Sequence, residues 1–251
     1  AGLGLVLCVL LCGEIGMAAQ AAESKTYGDF TYEEGENGIT ITGYTGDKKE
    51  IEVPDRIGGI KVISIGFAAF WDYSGLKSIT LPQSITTIQN YAFWGCSSLT
   101  DITLPESLTS IGAFAFCNCN GLTSLTIPKN VRSMGYGVFR NCEYLKKVTL
   151  SEGITRIASE AFAGCSSLTS LTIPDGVTSI GRVVFQDCDK LTSVVIPDSV
   201  TEFDTLKEPG FEVLGWSFWG APNVTIICNN NSAAYKYAKE HNIPIKLLSR
   251  K

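Results

Sequence analysis

The stretch Leu168-Thr-Ser-Leu-Thr-Ile-Pro-Asp-Gly-Val-Thr-Ser-Ile-Gly-Arg-Val-Val-Phe-Gln-Asp-Cys-Asp-Lys190 is one copy of a unit that recurs every 23 residues. Its cysteine, phenylalanine and leucine each belong to a column with this step. Because several residue types share one register, we expect stacked coils, each burying its apolar edge against its neighbours. The columns are Cys96, Cys119, Cys142, Cys165 and Cys188; Phe70, Phe93, Phe116, Phe139, Phe162 and Phe185; and Leu76, Leu99, Leu122, Leu145, Leu168 and Leu191.

Each unit predicts a strand, a turn and a return segment. Residues 168–174 place apolar side chains two positions apart, which is typical of a short strand with one face inward. Pro174 ends the strand because it has no N–H, and Asp175-Gly176 favours a turn. The residue before each cysteine is Gly, Asn or Asp, which tolerate positive φ, so we expect a left-handed residue that ends a short helical turn. These residues are Gly95, Asn118, Asn141, Gly164 and Asp187, and Asp72 and Gly220 extend the column.

The two ends depart from the repeat, as capping units do. Residues 22–50 contain two short strand-like runs around the turn at 34–38 and predict an N-terminal β-hairpin cap. The repeats occupy residues 51–228, about eight coils, with an insertion near 204–213. Residues 229–251 form a C-terminal cap, because Ser232–Glu240 has helical composition.

The first 21 residues are interpreted as a secretory signal peptide that lacks its basic n-region. Their apolar run is too short to span a bilayer, and Ala19-Gln20-Ala21 fits the small-x-small rule for cleavage. A buried N-terminal helix is the alternative. We therefore expect the mature chain to carry no membrane span and to lie outside the cell, secreted or on the cell surface.

Composition argues against several classes of function. The formal net charge of −5 disfavours nucleic-acid binding, which needs clustered Lys and Arg. His241 is the single histidine, so His-based zinc sites and Ser-His-Asp triads are not expected. No phosphate-binding or dinucleotide-binding glycine motif is found. The sequence predicts no enzyme, no catalytic residues, no cofactor and no metal, and a monomer.

The repeat columns resemble the BspA-like leucine-rich repeat family. The shared signature is Leu-x-x-[Leu/Ile/Val]-x-[Ile/Leu]-Pro, then [Val/Ile/Leu]-x-x-Ile-Gly, then Ala-Phe-x-[Gly/Asn]-Cys, over about residues 51–228. The resemblance implies an α/β solenoid, a right-handed superhelix with a parallel β-sheet on one side and short helical turns opposite. It also implies a secreted or surface-attached protein that adheres to host proteins or other cells.

The cysteine column has a structural and a chemical interpretation. Stacked coils repeat every ~4.8 Å, whereas a disulfide needs Cβ atoms ~3.8 Å apart, and neighbouring thiols do not converge as zinc requires. We therefore expect a ladder of buried, reduced thiols that act as small core residues. Cys117 lies outside the column and is the strongest candidate for a reactive thiol.

The outward residues of the strands are the candidate partner-binding surface. A polar concave face that binds a protein or glycan and a solvated face that uses Thr for its β-propensity are both consistent with the pattern. The residues are Ser78, Thr80, Asp101, Thr103, Ser124, Thr126, Lys147, Thr149, Ser170, Thr172 and Ser193.

Exposed aromatic residues and the insertion supply the other candidate contacts. Trp71 and Trp94 are one repeat apart and should stack, either as a binding platform or as a ladder that covers the edge of the core. Phe211 and Trp216 belong to or follow the insertion, and insertions in solenoids form surface loops that often bind.

Together these features predict a secreted or cell-surface interaction module. Adhesin-like binding of a protein or glycan on a host or neighbouring cell is the leading hypothesis. A structural spacer or assembly domain without a specific ligand is the alternative.

Overall fold

The computed structural model describes residues 24–204 and 217–248. They form a parallel β-solenoid of about nine turns. Each repeat passes through a side of three-residue strands, a side of two-residue strands and a side made of turns. The predicted signal peptide, most of the insertion, Phe211 and Trp216 lie outside the described residues.

The first side, here called the strand face, is a column of nine strands. In each repeat the middle residue of the strand is buried and the residues on either side are exposed or half-exposed. The strands are β4 (Glu50–Glu52), β7 (Ser78–Thr80), β9 (Asp101–Thr103), β11 (Ser124–Thr126), β13 (Lys147–Thr149), β15 (Ser170–Thr172), β17 (Ser193–Val195), β19 (Thr225–Cys228) and β20 (Ile245–Leu247). Strand β20 pairs with β19 and supplies a turn beyond the eight that the sequence predicts.

The second side is a further column of parallel strands that the sequence analysis did not predict. Most of these strands have only two residues, so they show no alternation that could be recognised in advance. They are β3 (Gly38–Tyr44), β6 (Ile60–Ile65), β8 (Thr87–Ile88), β10 (Ser110–Ile111), β12 (Ser133–Met134), β14 (Arg156–Ile157), β16 (Ser179–Ile180) and β18 (Glu202–Phe203).

Antiparallel pairs border this second side at the N-terminal end. Strand β2 (Phe30–Gly35) forms a hairpin with β3, and β1 (Lys25–Tyr27) pairs with the outer edge of β2. Strand β5 (Arg56–Ile57) pairs with β6. Because β3 also pairs in parallel with β6, the hairpin continues the second side of the solenoid.

The third side corrects the prediction of short helical turns. Alternate backbone N–H groups bond to the next coil, as Tyr91 N does to Ala113 O at 2.9 Å and Phe93 N to Ala115 O at 2.8 Å. The N–H groups between them bond to the carbonyl three residues earlier, as Trp94 N does to Tyr91 O at 3.0 Å, and not to the carbonyl four residues earlier as in an α-helix. Two residues per coil have positive φ, one before the cysteine, as predicted, and one four positions earlier, such as Tyr91 at 60°. This alternation of φ is incompatible with an α-helix.

The described residues contain a single α-helix, α1 (Ala233–Glu240). Its N-cap is Ser232, whose hydroxyl accepts a hydrogen bond from the Tyr235 N–H at 3.1 Å. Tyr237 is buried and stacks on Phe203, with ring centroids 4.1 Å apart. The helix therefore packs its apolar side against the last coils of the solenoid.

The core is a set of ladders that run along the solenoid. The phenylalanine column is fully buried, and consecutive rings are nearly parallel with centroids 4.9 to 5.9 Å apart. The leucine and cysteine columns lie beside it with at most 1% exposure. Because every coil contributes the same side chains at the same places, each phenylalanine ring stacks on the ring of the next coil.

Candidate functional site

The strand face brings the predicted polar residues together into two aligned columns. In-register pairing places Ser124 beside Lys147 and Thr126 beside Thr149, and the same register holds between β7 and β9 and between β15 and β17. All the predicted residues are exposed except Ser78 and Ser193, which are half-exposed. The middle residues of the strands are buried, so the alternation separates a polar outer surface from the core.

The strand face changes in charge from one end to the other. Strand β4 adds Glu50 and Glu52, which pair in register with Ser78 and Thr80 and which the sequence analysis had left out of the site. With Asp101 they make the N-terminal end acidic, whereas Lys147 is the basic residue of the central strands. Charge reversal along one face favours a single orientation of a charged partner.

The strand face becomes apolar towards its C-terminal end. Val195 takes the place that threonine holds in the preceding coils, and it pairs in register with Ile227 of β19. Both residues are half-exposed. The last strand, β20, then adds exposed Lys246, which pairs in register with Ile227. The strand face therefore carries acidic residues at its N-terminal end, hydroxyl groups and Lys147 in the middle, and apolar residues beside Lys246 at its C-terminal end.

The cysteine column is buried and forms a regular hydrogen-bond ladder. Each thiol donates to the backbone carbonyl of the phenylalanine in the preceding coil, as Cys96 does to Phe70 at 3.1 Å and Cys142 to Phe116 at 3.0 Å. All seven cysteines of the described residues are free and buried. Burial raises the pKa of Cys96 and of Cys188 to about 12, so these groups are thiols and not thiolates at neutral pH.

Trp71 and Trp94, the two tryptophans predicted to stack, do so. The rings of Trp71 and Trp94 lie 4.4 Å apart at 22°, and Tyr91 and Phe114 stack at 5.2 Å and 14°. Each tryptophan is only half-exposed. Because the rings pack face to face, much of the flat surface that a binding platform would offer is already used, which favours the structural interpretation of this ladder.

A protein-family model matches the repeat region of the chain. The model described as BspA type leucine rich repeat region matches residues 47–165 and 86–206 in six copies. The chain belongs to this family. BspA-type repeats are an interaction fold, and the strand face described above is built from their recurring strands.

Solved structures confirm the fold of this BspA-type chain. A leucine-rich repeat protein of T. pallidum is 22% identical, with a TM-score of 0.54, and the match covers 90% of this chain and 98% of that one. A leucine-rich repeat protein from Bacteroides ovatus is also 22% identical, with a TM-score of 0.53, over 89% of this chain and 67% of that one. No curated protein matches the chain in sequence.

Cys117, the predicted reactive thiol, and His241, the single histidine, both pack against neighbouring residues. Cys117 is 4% exposed, and burial raises its pKa to about 11, although the nearby Arg140 acts in the opposite direction. The His241 ring packs against Tyr237 with centroids 4.4 Å apart. Cys117 is therefore neither exposed nor held as a thiolate, as a reactive cysteine would be.

Within residues 24–204 and 217–248, no group of three or more His, Cys, Asp or Glu side chains is placed to hold a metal ion. In the same ranges no helix is both long and apolar enough to cross a bilayer.

Proposed function

We propose that this chain is an extracellular interaction module, secreted or held at a cell surface, whose strand face binds a protein on a host or neighbouring cell. The observation that supports this proposal is the recurrence of exposed polar side chains at the same two positions in successive strands of one side. BspA-type proteins are typically secreted or surface proteins, which supports the extracellular location.

The chemistry of the strand face favours a protein partner. Its hydroxyl groups can donate and accept hydrogen bonds at regular intervals, and its charges change sign along the solenoid. Val195 and Ile227 add apolar surface near its C-terminal end. Protein interfaces combine such an apolar region with a polar rim and matched charges over about 800 Å² per partner. A uniformly charged or uniformly apolar face would suit a protein partner less well.

A binding screen with charge-reversal variants tests the proposal. The full chain would be screened by surface plasmon resonance against extracellular-matrix proteins, mucins and a glycan array. Lys147→Glu and Asp101→Lys reverse charges on the strand face. Arg132→Glu is the matched control, because Arg132 is exposed on the second side of the solenoid.

The proposal predicts saturable binding to a protein that Lys147→Glu weakens about tenfold and Arg132→Glu leaves unchanged. Thermal melting would first show that each variant is folded. A hit confined to glycans would contradict the protein partner. An empty screen with folded protein would favour the alternative of a spacer or assembly domain.

A further inference from the structure

A cleft of about 320 Å³ opens on the third side of the solenoid, away from the strand face. Its walls come from successive coils and include Tyr136, Glu160, Arg182, Gln186 and Trp219. The volume lies at the lower end of the range for small-molecule sites, which corresponds to a ligand of one or two rings.

The cleft exists because the outer columns lose bulk in one coil. The position of Tyr136 is filled one repeat later by Ser159, and the position of Arg140 by Ala163. Earlier coils hold Trp71 and Trp94 in the second of these columns. The small side chains leave room in the middle, while aromatic rings remain on either side: Tyr136, which is 40% exposed, and Trp219.

The charged residues that line the cleft are Arg182 and Glu160. The Glu160 side chain is 16% exposed and forms an ion pair with Arg140. The pKa of Glu160 is raised above its ordinary value because burial, the larger effect, outweighs the lowering by the adjacent Arg182. Asp187, outside the lining, accepts a hydrogen bond from the Gln186 amide at 3.2 Å. Arg140 also lies outside the lining, so the lining carries one guanidinium group, that of Arg182, beside one carboxylate, that of Glu160.

We infer that this cleft binds an acidic saccharide, a sugar ring that carries a carboxylate. The guanidinium of Arg182 suits the carboxylate, because planar paired donors match its two oxygens. Sugar hydroxyls both donate and accept, so they complement the acceptor Glu160 and the amide of Gln186. The rings of Tyr136 and Trp219 offer apolar surfaces to the C–H faces of the sugar.

The test is a titration of the full chain with D-glucuronate, D-glucose and benzoate. Isothermal calorimetry and ligand-observed NMR measure the binding. Arg182→Gln removes the guanidinium and Tyr136→Ala removes one wall. Arg132→Gln and Tyr144→Ala are the matched controls, because Arg132 lies exposed on the second side and Tyr144 is 58% exposed outside the cleft.

We expect glucuronate to bind about tenfold more tightly than glucose, and Arg182→Gln to remove that preference. Tyr136→Ala should weaken both sugars, and the two control variants should bind as the unaltered chain does. The inference is overturned if neither sugar saturates, if benzoate binds as well as glucuronate, or if Arg132→Gln has the same effect as Arg182→Gln. It does not depend on the strand face, so either proposal can fail alone.

Discussion

The thiol of Cys119 donates a hydrogen bond to the backbone carbonyl of Phe93 in the preceding coil, over 3.1 Å. The same carbonyl accepts the N–H of Cys96 at 3.2 Å, so it has two donors inside a core that excludes water. The same kind of thiol bond recurs at Cys165 and Cys188 at 3.2 Å. Cysteine suits this column because it is small, apolar and able to donate a weak hydrogen bond.

Replacing one ladder thiol should destabilise the protein without affecting its surface. Cys142→Ala removes a fully buried sulfur and its bond to Phe116, and we expect a loss of about 1–3 kcal/mol in the free energy of unfolding. Chemical denaturation followed by circular dichroism measures the change. Thr149→Ala on the strand face is the control and should change stability by less than about 0.5 kcal/mol. Equal effects would contradict a structural role for the thiol bond.

The ladder cysteines should be unreactive until the protein unfolds. Burial raises the pKa of Cys96 and Cys188 to about 12, and the thiolate is the reactive form. Iodoacetamide at pH 8 followed by peptide mass spectrometry should leave the seven cysteines of the described residues unmodified in the native protein and alkylate them all in denaturant. Cysteines that iodoacetamide fails to alkylate in denatured protein, when no reductant has been added, would indicate disulfides.

Stability should fall at alkaline pH. A thiol whose pKa is about 12 in the fold and near 9.0 when exposed holds its proton more firmly in the folded state. Its contribution is complete below about pH 9 and is lost as the pH rises towards 12, at about 1.4 kcal/mol per pH unit for each thiol. Melting temperatures between pH 8 and pH 11 would measure the fall.

The contribution of the thiols to this fall can be separated from that of tyrosine. Burial also raises the pKa of Tyr237, which gives stability the same dependence on pH. The double variant Cys96→Ala/Cys188→Ala should therefore show a shallower decrease than the unaltered protein. An unchanged slope would contradict a contribution from these two thiols.

Relief of backbone strain should stabilise the sixth repeat. Val183 has φ of 44°, which is costly for a β-branched residue. Because its side chain is half-exposed, we expect Val183→Gly to lose little packing. Relief of about 1–2 kcal/mol of strain, less the entropic cost of glycine of about 0.5–1 kcal/mol, should raise stability by about 0.5–1 kcal/mol. Val184→Gly is the control: Val184 is fully buried, and its loss should cost at least about 2 kcal/mol. A lower melting temperature for Val183→Gly would contradict the strain argument.

The repeat period and the core could be read from the sequence because both depend on local alternation and on identical columns. Phe139, Leu145 and Cys142 recur at a fixed step and are buried as predicted. The residue before each cysteine, such as Asn118 with φ of 60°, was predictable because Gly, Asn and Asp tolerate this conformation. The polar exposure of the strand face followed in the same way from two-residue alternation.

Only the tertiary structure decided features that depend on contacts between coils. Tyr91, Phe114 and Glu160 adopt positive φ although their residue types do not favour it, because the bonds to the next coil outweigh local preference. The same bonds replace the expected helical turns. The acceptors of the thiols and the cleft beside Glu160 arise from residues that meet only when coils stack, and no single coil encodes them. The sequence by itself therefore determined which residues are buried, and the tertiary structure decided what those residues bond to and where the surface opens.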